Sequence, residues 1–130
     1  MRNFKLIPIY LLVWVSCGPE FCYDYLIRNN SENDIELFFY GEENATSEIA
    51  KGDFIIKSAF CDERGDKSFF EFFLIDSIQI AVHKRVVKTY YPDSPGKNIF
   101  NTQDQNSWRI EKNKKTFRRF VFEITEEDLK

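Results

Sequence analysis

With 21 acidic against 18 basic side chains, this 130-residue chain carries a formal charge of −3. That balance excludes a general nucleic-acid binder, which needs surplus cations to neutralise phosphates. The length suits one domain rather than two, and 14 phenylalanines within 17% aromatic residues point to the half-buried strands of a β-sheet core.

The chain opens with Arg2 and Lys5, a short positive end, followed by the uncharged apolar run Leu6–Val15. Ser16 and Cys17 close the run, and Gly18-Pro19 breaks the chain behind it. A positive region, an apolar region and a small-residue zone make up a secretory signal, and about 20 apolar residues would be needed to span a bilayer. Val15-Ser16-Cys17 resembles the lipobox of bacterial lipoproteins, with Trp14 where an aliphatic residue is usual. Ordinary signal cleavage and an uncleaved anchor are the competing readings. Cutting after Gly18 would leave Pro19 beyond the scissile bond, which is unfavourable.

The lipobox resemblance implies a signal peptide over residues 1–16 and acyl chains, palmitate among them, on Cys17. It leaves 17–20 as a tether and 21–130 as one domain. Two or more acyl chains give stable anchoring where one does not. Gly18 stands where an Asp marks inner-membrane retention in some bacteria, which favours the outer membrane. Loss of Arg2 and Lys5 takes the formal charge of the remaining chain to −5. Cys22 and Cys61 are then a candidate disulfide in an oxidising compartment. Closing their loop of about 40 residues is worth about 4 kcal/mol in the chain-entropy account. Two free buried thiols are the alternative.

Strand-like alternation begins at once: Phe21, Tyr23, Tyr25 and Ile27 share one face, and Ile35, Leu37 and Phe39 share another. The polar cluster Asn29–Asp34 between them predicts a β-hairpin. Glu48–Ala50, the turn Lys51-Gly52-Asp53 and Phe54–Phe60 read as a short strand leading into a longer one. Asp62–Lys67 is a charged turn, Phe69–Ile75 an apolar run, and Ile78, Ile80 and Val82 alternate in the next strand. His83-Lys84-Arg85 predicts a tight turn into Val86–Tyr91, which the Pro92–Gly96 segment stops. Asn98–Ser107 reads as a polar loop. Trp108–Glu111 and Thr116–Ile124 flank the basic turn Lys112–Lys115, and Thr125 is a cap for a final helical turn. About eight strands and no long helical pattern predict an all-β fold, an antiparallel, immunoglobulin-like β-sandwich. A small β-barrel is the alternative.

Several pieces of this pattern are similar to small envelope lipoproteins of Bacteroides-type bacteria: Tyr25–Ser31 with Asp34–Leu37, Asp76–Ile80, Asn98–Asn101 and Phe122–Asp128. The resemblance implies a lipid-anchored all-β domain of the cell envelope and brings no catalytic residues with it.

The chemistry-bearing residues are sparse. His83, the single histidine, falls in a turn, and no nucleophile elbow or phosphate loop is present. Cys22, Cys61 and His83 are too dispersed for zinc, and Asp62, Glu63 and Asp66 lack the order of a calcium loop. No cofactor or metal is expected, and no enzymatic activity. Tyr90, Tyr91 and Trp108 lie beside turns and are the candidate contacts for a protein partner or a glycan. Lys112, Lys114, Lys115, Arg118 and Arg119 are candidates for anionic headgroups or an acidic partner. Asp76-Ser77-Ile78 resembles the Asp-Ser/Thr-aliphatic pattern of Bacteroides-type O-glycosylation, which marks Ser77. Together these readings predict a non-enzymatic lipoprotein that binds a protein partner at the envelope, an immunity or inhibitor protein being one version. A glycan- or ligand-binding accessory lipoprotein is the alternative.

Overall fold

The computed structural model describes residues 20–62 and 74–130. The readings made for Met1–Cys17, for Glu63 and Asp66 and for most of the Phe69–Ile75 run lie outside the described residues. The alternating segments become eight strands: β1 (Phe21–Asn29), β2 (Ile35–Gly41), β3 (Ala45–Ile49), β4 (Phe54–Asp62), β5 (Ile75–Val82), β6 (Arg85–Tyr90), β7 (Arg109–Lys114) and β8 (Phe117–Ile124). A 3-10 turn over Glu126–Leu129 follows, with Thr125 and Asp128 forming its capping box.

The strands form two four-stranded sheets, β4-β1-β8-β7 (sheet A) and β3-β2-β5-β6 (sheet B). Each presents one apolar face to the other. Tyr23, Tyr25, Ile27, Phe120, Phe122 and Ile124 from sheet A meet Ile35, Leu37, Phe39, Ile49, Ile78, Ile80 and Tyr90 from sheet B. The result is the expected β-sandwich of eight strands, not a closed barrel. Its pairing is mixed: β1 and β8 run parallel in the middle of sheet A, and the other pairs are antiparallel. The strand order also differs from that of immunoglobulin constant domains.

β1 and β2 do not form a hairpin. They belong to different sheets and face one another across the core. The buried Asn29 directs the crossing. Its Nδ2 donates to the carbonyls of Asn33 (2.7 Å) and Ile49 (3.0 Å), and its Oδ1 accepts from the backbone N–H and hydroxyl of Ser31. A residue that bonds both its own loop and a strand of the opposite sheet turns the chain away from β1.

Two other turns are hairpins. β5 and β6 are joined by His83-Lys84 alone, both at positive φ (50° and 62°), as a two-residue turn matched to strand twist requires. β7 runs on to Lys114 and the β7–β8 turn is Lys115-Thr116, so the basic turn expected at Lys112–Lys115 is mostly strand. At the end of β2, a Cβ on Gly41 would lie 2.0 Å from the Leu74 carbonyl oxygen, so only glycine fits there.

Candidate binding surface

Tyr90 and Trp108 are not contact residues. Each is 1% exposed. Tyr90 pairs with Ile78, faces the core and meets Phe122 edge-on at 5.7 Å. Burial pushes its phenol well above the usual tyrosine range. Trp108 lies between Tyr25 and Phe122, with ring centres at 5.6 and 5.5 Å, and its indole N–H donates to the Ile99 carbonyl at 2.9 Å. The expected polar loop before it is therefore folded inward, and Asn98, Ile99 and Ser107 are buried. Asn98 organises that loop: its Nδ2 donates to the carbonyls of Tyr91 (2.8 Å) and Ser94 (3.1 Å), and its Oδ1 accepts from the Phe100 N–H at 3.0 Å.

Tyr91 alone of the three is at the surface, 53% exposed, with its backbone N–H held by the Ser94 hydroxyl at 2.9 Å. It follows the Ile78–Tyr90 pair directly, on the side of Ser77, and Ser77 is opposite Tyr40. Tyr40 is 37% exposed, and its ring stacks on Phe38 at 6.4 Å and 22°. Glu36 and Glu48 pair on the same outward face one row away, and the rows that hold the rings are uncharged. Thr46, Phe38, Gln79 and Thr89 stand in one row across four strands, and Tyr40 and Ser77 begin the next. The outcome is a flat aromatic platform carrying neutral hydrogen-bonding groups. Ser77 is a half-buried residue inside β5, not at the strand's entrance.

Phe38 and Tyr40 were not singled out by sequence. The signal was their parity: Ile35, Leu37 and Phe39 already supply the buried face of β2, so aromatic residues between them have no core to fill.

The outer face of sheet A carries ion pairs beside the exposed apolar side chains Phe54 and Ile56 of β4. Arg28 grips Glu111 with two bonds, 2.6 and 3.2 Å, and Arg109 joins Glu111 to Glu123. The Arg28 hydrogen bond holds the Glu111 carboxyl below the usual range, against a smaller opposing effect of burial. Of the basic group, Lys112, Lys114, Lys115 and Arg118 are exposed, while Arg119 pairs with Asp24 at 3.2 Å.

Cys22 and Cys61 face each other in the β1–β4 register and are joined by a disulfide, with Cα atoms 4.0 Å apart. His83 is exposed in its turn, at the rim of an open depression of about 530 Å³ that also contains Asp34, Glu36, Glu48 and Asp53. Two of those carboxylates hold turns: Asp34 accepts from the Lys51 N–H, and Asp53 from the Phe54 N–H, both at 2.8 Å. Among the described residues, no three His, Cys, Asp or Glu side chains are placed to hold a metal, and no helix is long and apolar enough to cross a membrane.

No protein-family model matches this chain, nor does any curated protein or any solved structure.

Proposed function

We propose that this protein is a non-enzymatic binding module held at the cell envelope by lipid on Cys17, and that it engages a protein partner through the outer face of sheet B. One observation carries the reading: Phe38, Tyr40 and Tyr91 project aromatic surface from uncharged rows on the outer side of that sheet, while the core between the sheets is built without them. Tyrosine is enriched among residues that dominate protein interfaces, because it combines a large apolar face with a polar tip. Neutralisation of an envelope-directed toxin is one form such binding takes. The row of Thr46, Gln79 and Thr89 beside the rings favours a second reading, a neutral glycan stacked on the same platform.

A photo-crosslinking side chain at Tyr40 or Tyr91, in protein expressed in its native host, tests the face. The expected result is one discrete protein adduct, lost when Phe38→Ser is added and absent when the crosslinker replaces Lys51 or Lys130. A heterogeneous, periodate-sensitive adduct would assign a glycan instead. No adduct from either tyrosine, or equal adducts from every position, would overturn the site.

A further inference from the structure

The parallel pairing of β1 and β8 places the start of the folded domain beside the most basic segment of the chain. The Cys22 backbone N–H donates to the Thr116 carbonyl at 2.9 Å, and Cys22, Phe117 and Lys114 are successive neighbours across β1, β8 and β7. Thr116 is half of the β7–β8 turn, so the tip of that hairpin adjoins the first residues of β1. Residues 112–119 contain five basic side chains and no acidic one. The rest of the chain from Cys17 onward holds 11 basic against 21 acidic residues. The opposite end of sheet A carries much of that acidity, with Glu126, Glu127 and Asp128 after β8 and Glu32 and Asp34 after β1. Among the described residues, Glu20, Asp24 and Asp62 are the acidic residues beside the start of β1, and Asp24 is paired with Arg119.

Three residues separate Cys17 from Phe21, four steps along the chain with a reach of about 14 Å at full extension. An acyl group on Cys17 therefore keeps the hairpin near the headgroups, at a distance comparable to the Debye length of about 8 Å plus the length of a lysine stem. Exposed Lys112, Lys114, Lys115 and Arg118 would then lie in the negative potential of a phosphate-bearing surface. Lipid and a basic patch together form the two-signal anchor that holds a protein to one leaflet.

We infer that the β7–β8 hairpin is a membrane-docking element. It seats the domain, hairpin end down, on the anionic surface of the bilayer that holds its lipid, and turns the acidic end away. The inference rests on the Cys17 anchor of the proposed function.

The test is lysine acetylation, read by mass spectrometry, on protein extracted from native membranes. The protein is reconstituted into vesicles of equimolar phosphatidylcholine and phosphatidylglycerol, or of phosphatidylcholine alone. Docking predicts that Lys112, Lys114 and Lys115 react roughly fivefold more slowly in the anionic vesicles, about the effect of one basic residue near such a surface. Lys51, Lys84 and Lys130 serve as internal controls and keep their rates. Protection should disappear in about 1 M salt, where the Debye length is about 3 Å. Equal hairpin rates in the two vesicles, or equal protection of the control lysines, would overturn the inference. The N-terminal peptide of the same digest separates the two claims. An acylated Cys17 with unprotected hairpin lysines defeats docking alone, whereas protected lysines on a chain without lipid defeat the anchor alone.

Discussion

At the scale of single residues, the His83-Lys84 turn stores a cost that sequence replacement can remove. Both side chains sit in the left-handed region, where a residue with a Cβ is disfavoured by roughly 1–2 kcal/mol. The same turn with Asn-Gly meets no such penalty. The double substitution His83→Asn, Lys84→Gly should therefore stabilise the protein by about 1–2 kcal/mol in denaturant unfolding. A loss of stability would mean that the turn is not of this type. Residue readings left the pairing of Cys22 with Cys61 open beside two free thiols, and their facing positions in the β1–β4 register decide it. Residue readings failed for Tyr90 and Trp108, because nearness to a turn in sequence says nothing about which way a loop folds. Trp108 is buried because Asn98 and Ser107 satisfy the loop's polar groups internally, with the Ser107 hydroxyl accepting from the Asn98 N–H at 3.0 Å. Composition alone reads that segment as solvated.

At the scale of elements, alternation located the strands and left their partners open. The β5–β6 hairpin was legible from its short turn and the β7–β8 hairpin from its two flanking strands, but the bulge in each pairing and the exact turn Lys115-Thr116 were not. β1 and β2 carry the same alternation with five residues between them, a length that serves a hairpin or a crossing between sheets equally well. The parallel pairing of the first and last strands is a contact of the longest range and leaves no local mark. The charged ladder it builds on sheet A yields a pH dependence. Glu111 is depressed by Arg28. Burial is the largest single influence on Asp128 and raises it, but the Lys97 ammonium and the Thr125 N–H and hydroxyl together outweigh it and leave the carboxyl depressed. Groups whose folded values lie below their unfolded ones stabilise the protein fully above the unfolded values, about 4, and lose that contribution as pH falls through the folded ones. Stability should thus hold from neutral pH to about 5 and decline below about 4. Glu111→Gln should cost about 1 kcal/mol at neutral pH, as a part-buried paired charge does, and flatten the acid slope. An unchanged slope in the variant would show that the Arg28–Glu111 pair contributes nothing.

At the scale of the molecule, the two sheets have unlike outer faces: sheet A is laced with ion pairs, and sheet B holds the stacked rings of Phe38 and Tyr40 in uncharged rows. The sandwich class followed from strand number, short spacing and the lack of helical period. The aromatic platform did not, because it is assembled from β2, β5 and the residue after β6, brought together by sheet pairing. The account depends most on the address. The proposed partner face gains local concentration, and the basic hairpin gains an anionic surface, when the chain is held by lipid at Cys17. The measurement that tests this most directly is the intact mass of the protein extracted from membranes of its native host, with and without reduction. The account predicts a chain beginning at Cys17 with acyl chains attached, and a rise of about two daltons on reduction as the Cys22–Cys61 bridge opens. A chain cut elsewhere and bearing no lipid would contradict the account and place its partners among soluble, exported molecules.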